Sequence, residues 1–198
     1  MENTNDAIQE ICNKIEENTV LFFDMDGTLV NTKYANFLSY KEAVQSVTKS
    51  DLVLTYDPQH RFNRSNLKDV APNLSEIEYN RIIKEKEINY KKYLHETSSN
   101  STLVNILSQY SKTNQTVLVT NCREERALMT LDYYNLTDKF SNLFFRVVSD
   151  NENRINKYKN AITNLKVPAE KIIVFENEKQ EIDDAILSGI LINNILSF

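Results

Sequence analysis

Short apolar runs of strand length recur along the chain: Thr19–Phe23, Thr116–Thr120, Leu143–Val148, Lys171–Phe175 and Ile190–Ile195. None alternates strictly, and several are nearly continuous in branched or aromatic residues. Strands covered on both faces of a parallel sheet read this way. Helical patterns of crossover length separate the later runs. Residues 123–135 bring Leu128, Leu131 and Tyr133 or Tyr134 to one side, 156–165 do so with Ala161, Ile162 and Leu165, and 181–188 with Ile182, Ala185 and Ile186. The repetition of strand, helix and strand predicts an α/β fold, a doubly wound parallel sheet of Rossmann-like type with right-handed crossovers.

The rhythm breaks between residues 33 and 97, which hold no convincing buried strand. Phe37, Leu38, Ala43, Val44 and Val47 make 34–48 helical, and Ile77, Ile82, Ile83, Ile88 and Leu94 do the same for 75–94. Ser75 with Glu78 three residues on forms a capping box for the second of these, and Pro58 and Pro72 mark turns. The simplest organisation is an α/β core made of residues 1–32 and 98–198, interrupted by an all-helical insert at 33–97. One more amphipathic helix is expected over 5–17, through Ile8, Ile11, Cys12 and Ile15.

Composition narrows the function classes. The chain has 198 residues and sets 23 basic against 28 acidic side chains, a net charge of −5. A nucleic-acid partner would ordinarily show as a basic patch and a high pI, so none is expected. No run approaches the roughly eighteen apolar residues of a membrane span. The two cysteines, Cys12 and Cys122, are too few for a disulfide framework, and the N-terminus lacks the basic and apolar regions of a secretory signal. A cytoplasmic location is the expectation. Glycine is the anomaly: there are 2 in the chain, where average usage would give roughly fourteen.

The first of them, Gly27, falls in Leu21-Phe-Phe-Asp24-Met-Asp26-Gly-Thr-Leu-Val30. A buried strand thus runs into an Asp-x-Asp-Gly-Thr turn at its carboxyl end, where open α/β sheets place their ligands. Two carboxylates at i and i+2 can divide the work, one as nucleophile or metal ligand and the other as acid and base. On average composition, these fixed residues arise by chance in roughly one chain of this size in several hundred.

This segment resembles the first motif of the haloacid dehalogenase (HAD) superfamily, and the resemblance extends along nearly the whole chain. Val117-Leu-Val-Thr120-Asn121 is similar to the family's second motif, a strand ending in a hydroxyl residue. Leu131-Asp-Tyr-Tyr-Asn-Leu136 followed by Phe140 resembles a helix–Gly-Leu–Phe stretch, with Asn135 where glycine is usual. For the third motif, a lysine near a helix start, Lys157 is the best match, although Lys159 competes and the usual following proline is missing. The fourth motif departs most. After Ile172-Ile-Val-Phe175 the run is Glu176-Asn177-Glu178-Lys-Gln-Glu181, which puts Asn177 where the metal-binding Asp usually sits. The helical insert matches the cap of the β-phosphoglucomutase-like phosphatase branch. Arg61-Phe-Asn-Arg64-Ser65 resembles that cap's substrate loop, with Asn63 in place of glycine.

The resemblance implies a Mg²⁺-dependent phosphatase acting on a small phosphorylated metabolite through an aspartyl-phosphate. Asp24 would be the nucleophile, Asp26 the acid and base, and Thr120 and Lys157 the remaining catalytic residues. Gly27, Thr28, Asn121 and Arg64 would bind phosphate or substrate. Asp24, Asp26, Asn177 and Glu176 would hold the metal, more weakly than usual because an amide brings no charge unless Glu176, Glu178 or Glu181 reaches in. A sugar-phosphate mutase would use the same residues, and a non-catalytic binding protein would follow if Asn177 abolished metal binding. A glycosyltransferase-type Asp-x-Asp is a more distant alternative, and dehalogenation is disfavoured by Asp26.

Overall fold

The first apolar run becomes the middle of a sheet. In the computed structural model, which describes residues 2–48, 52–147 and 155–197, the strands are β1 (Val20–Phe23), β2 (Val30–Asn31), β3 (Ser98–Ser99), β4 (Gln115–Val119), β5 (Asn142–Phe144), β6 (Ile172–Glu176) and β7 (Ile195–Ser197). Five of these form one sheet in the order β5-β4-β1-β6-β7, and every pairing in it is parallel. β2 and β3 pair separately. In β1, Val20 stands opposite Gln115 on one side and Ile172 on the other.

Both faces of the central strands are covered, which accounts for their unbroken apolar sequences. One face contributes Val20, Phe22, Val117, Val119, Ile172 and Val174 to a core closed by Tyr158, Ala161 and Ala185. The other face holds Leu21, Phe23, Leu118, Ile173 and Phe175, all buried, with the Phe23 and Phe175 rings stacked at 4.6 Å. Each large side chain buried in this way contributes roughly 1.5–3 kcal/mol.

The chain divides into two compact units, Met1–Leu29 with Ser99–Phe198, and Val30–Ser98. The first contains the five-stranded sheet and the helices α1 (Glu2–Asn13), α5 (Ser101–Tyr110), α6 (Glu124–Tyr133), α7 (Lys157–Leu165) and α8 (Lys179–Leu187). The second is helical, with α2 (Lys33–Thr48), α3 (Arg64–Val70), α4 (Glu76–Asn89) and a 3₁₀ continuation over Tyr90–Glu96. Its core gathers Phe37, Tyr40, Ala43, Val44, Leu67, Ile82 and Ile83. Ile77 and Ile88, expected on the same face, are exposed. The Ser75–Glu78 capping box is present at the start of α4.

Four segments differ from expectation. The last strand is β7 rather than 190–195: Leu191 and Ile192 are exposed, and Ile192–Asn194 is a 3₁₀ turn. Ile190 is apolar because it seals the end of α8, where its N–H donates to the Ala185 carbonyl and Gly189 adopts φ +94°. The third strand is confined to Asn142–Phe144 at the sheet edge, and Val148 lies outside the described residues. The N-terminal helix ends at Asn13 rather than at residue 17. α5 has no counterpart among the expected elements, although Asn100 caps it and Leu103, Ile106 and Leu107 line its buried face.

Candidate active site

The strand order creates the crevice. From β1 the sheet grows through β4 to β5 on one side, and the chain then crosses back to β6 and β7 on the other. The carboxyl ends of β4, β1 and β6 therefore border the point where the winding reverses, the usual ligand position in such sheets. Asp24 follows β1 directly and extends its ladder by one bond, its N–H donating to the Phe175 carbonyl at 3.0 Å. Thr120 follows β4 and is held to β5 by its N–H on the Phe144 carbonyl at 2.9 Å. Glu176 is the last residue of β6, and Asn177 follows it.

Gly27 turns the chain after the two aspartates. Its φ is +93°, and a Cβ at this position would lie 2.6 Å from the Asn177 side-chain nitrogen. Glycine is required here twice over, by the dihedral and by the approach of the loop after β6. The same amide accepts a hydrogen bond at 2.9 Å from the Thr28 hydroxyl through its Oδ1. Asn177 thus binds the first-motif turn to the fourth.

Lys157 is the centre of the buried charge network. It opens α7, whose start is fixed by the Asn156 side chain accepting from the Tyr158 and Lys159 N–H groups. Its ammonium donates to Asp24 Oδ1 at 2.7 Å and to Glu176 Oε2 at 2.8 Å, and stands 3.6 Å from Glu181 Oε2. Lys159, the alternative third-motif lysine, is exposed. Burial alone would lower the Lys157 pKa, but Asp24, Glu176 and Glu181 outweigh it and hold the ammonium above its usual range. For Asp24 burial dominates. Lys157 offsets it only in part while Glu176 and Asp26 add to it, and the carboxyl is pushed up to about 8.

Two expected ligands have other partners. Glu176 was expected to hold metal, yet it is fully buried and both its oxygens are engaged. Oε2 accepts from Lys157 and from the Tyr158 hydroxyl at 2.6 Å, while Oε1 accepts from the N–H groups of Asn177 and Glu178. Burial, and after it Glu176, raises the Tyr158 pKa well above that of a free phenol, so the hydroxyl keeps its proton for this bond. Asn121, expected at the phosphate, uses its side-chain nitrogen to donate to Glu181 Oε1 at 2.9 Å. The Thr120 hydroxyl accepts the Cys122 N–H at 3.1 Å. Arg64 lies in the other unit, where it is the first residue of α3.

Sequence reasoning missed Arg126 and Tyr158. Arg126 sits on α6 beside the buried Ala127, and its Nη2 lies 3.3 Å from Asp26 Oδ2. A single arginine next to a helix's apolar face carries little signal in sequence. Nothing in the sequence around Tyr158 signals that its hydroxyl has a carboxylate partner.

Four carboxylates, Asp24, Asp26, Glu176 and Glu181, face two cations, Lys157 and Arg126, so the fully ionised cluster carries a net charge of −2. Among the described residues, no group of three or more His, Cys, Asp or Glu side chains is arranged to hold a metal ion. The available donors are all oxygens, and the surplus of negative charge is buried. These features fit a hard divalent cation that borrows amide and carbonyl oxygens. Among the described residues no helix is long and apolar enough to cross a membrane.

Comparison with solved structures places this architecture. A predicted phosphoglycolate phosphatase from Haemophilus somnus 129pt superposes with a TM-score of 0.73 at 16% identity, over 89% of this chain and 84% of that one. CbbY from Rhodobacter sphaeroides, solved in complex with phosphate, gives 0.71 at 12% identity, over 87% and 84%. A haloacid dehalogenase-like family hydrolase from Streptococcus pneumoniae gives 0.69 at 17% identity, over 89% and 83%. Sequence comparison with curated proteins finds no match. The profile of the haloacid dehalogenase-like hydrolases matches residues 21–193. With nearly the whole chain matched and the sheet, turn and buried lysine in place, the protein belongs to the haloacid dehalogenase-like hydrolase family.

Proposed function

We propose that the protein is a phosphatase that hydrolyses a small phosphorylated metabolite through a phosphoryl group carried on Asp24. The observation that carries this reading is the Asp24–Lys157 contact at the reversal point of the sheet, a nucleophile with a buried cation beside it. An Asp24 oxygen attacks phosphorus and the bond from phosphorus to the leaving oxygen breaks, with Asp26 giving that oxygen its proton. Asp26 then takes a proton from water, whose oxygen attacks phosphorus. The bond to Asp24 breaks, and inorganic phosphate leaves. Lys157, the Thr120 hydroxyl and the Asn121 N–H cover the phosphoryl oxygens as negative charge develops on them.

Glu176 serves this chemistry indirectly. With Tyr158 it anchors the lysine, so the ammonium points at Asp24 without searching. The Asp24 carboxylate, the Asp26 carbonyl and the Asn177 amide oxygen are the groups that would hold Mg²⁺. Mg²⁺ would supply the positive charge that keeps Asp24 ionised and neutralises the phosphoryl oxygens. Hydrolysis of an aryl phosphate with release of free phosphate tests the reading and separates it from a mutase. Asp24→Asn should remove that activity, and wild-type turnover by the variant would contradict it.

A further inference from the structure

Each aspartate of the turn meets a buried or nearly buried cation from a different helix. Lys157 is committed to Asp24, Glu176 and Glu181. Asp26 is met instead by Arg126, whose Nη2 reaches Oδ2 at 3.3 Å. Both side chains of this pair are about nine-tenths buried, at 11% and 12% exposure, so solvent screens the contact far less than it would a surface pair. Arg126 is itself tied down. Its Nε donates to Cys122 Sγ at 2.9 Å, and the Cys122 N–H is held by the Thr120 hydroxyl. A continuous chain of contacts therefore runs from the end of β4 through α6 to the second aspartate.

We propose that Arg126 is a positioning residue that fixes the carboxylate which moves the proton. This rests on the phosphatase reading above. Engaging Oδ2 restrains the rotation of the carboxyl group that gives a proton to the leaving oxygen and takes one back from water. An unanchored aspartate would have to find its rotamer at each turnover, and misplacement of a proton donor is costly even at the scale of an ångström. Cys122 contributes as a buried sulfur acceptor that orients the guanidinium.

The test compares two leaving groups. An alkyl phosphate needs its leaving oxygen protonated, whereas p-nitrophenolate departs without that help. The parameter is kcat/KM, which reports formation of the phosphoryl-enzyme. Arg126→Met should lose about 30-fold or more on the alkyl substrate and about threefold or less on the aryl one, since proton transfer by a placed group is worth on the order of 10²–10⁴. Millimolar guanidinium should restore part of the alkyl activity to Arg126→Ala. Arg126→Lys, which keeps a cation in the buried site, covers the case in which the apolar variant does not fold, and it should show the same leaving-group dependence more weakly. Equal losses on the two substrates, or no loss, overturn the proposal while leaving the phosphatase reading intact. A wild-type protein inactive on both overturns the phosphatase reading and this inference with it.

Discussion

Asn177 is the residue at which the charge balance of the site is decided. Its amide bridges Thr28 and the bare Cα of Gly27, so it joins the two loops that face Asp24 without adding charge. Affinity for hard cations rises with the number of charged oxygen ligands. Asn177→Asp should therefore tighten Mg²⁺ binding by about tenfold or more, while lowering the melting temperature in EDTA because a further carboxylate joins a buried negative cluster. Calorimetric titration with Mg²⁺ checks the first effect, and an unchanged affinity would show that position 177 does not face the ion. Gly27→Ala places a Cβ against that same amide at positive φ. It should cost roughly 1–3 kcal/mol in urea denaturation through backbone strain alone, before any displacement of Asn177 is counted. The glycine shortage makes this position informative, because Asn135 and Lys166 show that the chain tolerates φ of +55° without glycine elsewhere.

Helix ends show what the sequence could and could not reveal at the scale of elements. The Ser75–Glu78 box was readable because both partners are polar, three apart and just ahead of an apolar pattern, and the structure has both of its hydrogen bonds. Ser75→Ala should cost about 1 kcal/mol, measured by denaturation followed through helicity. Asn63 was read as a replacement for a loop glycine, a residue type that populates positive φ freely. Instead its φ is −136° and its side chain caps α3 in a box with Asn66. Asn63→Gly should therefore be milder than Asn63→Ala, since glycine at a cap loses only a few tenths of a kcal/mol. Asn135, also read in place of glycine, does occupy the left-handed region. Asparagine serves both turn and cap, so one sequence cannot separate the two uses. The overshoot at residues 190–195 has a similar cause, since apolar residues that seal a helix end look like the start of a strand.

At the scale of the whole molecule the sheet was legible because burial on both faces leaves continuous apolar runs, and the first-motif turn because a strand ends in it. The partners of the charges were not, since Lys157, Glu176, Glu181 and Arg126 come from separate elements that only the fold brings together. That assembly has a pH consequence. Asp24 titrates at about 8 when folded against an ordinary 3.8, so between these values the native state binds a proton that the unfolded chain does not. The contribution of this group to stability accordingly falls as pH rises through the window and levels off above it. Melting temperatures in EDTA between pH 5 and 9 should show that decline, Asp24→Asn should flatten it, and Mg²⁺ should stabilise more at pH 8 than at pH 5 because it displaces the proton. A Mg²⁺ effect independent of pH would count against this electrostatic picture. Whether Asp24 carries the phosphoryl group is settled by quenching turnover with acid and mapping the phosphorylated peptide by mass spectrometry. The phosphoryl group should be found on Asp24 and be absent from Asp24→Asn. Turnover with the group on another residue, or with no covalent intermediate at any quench time, would contradict it.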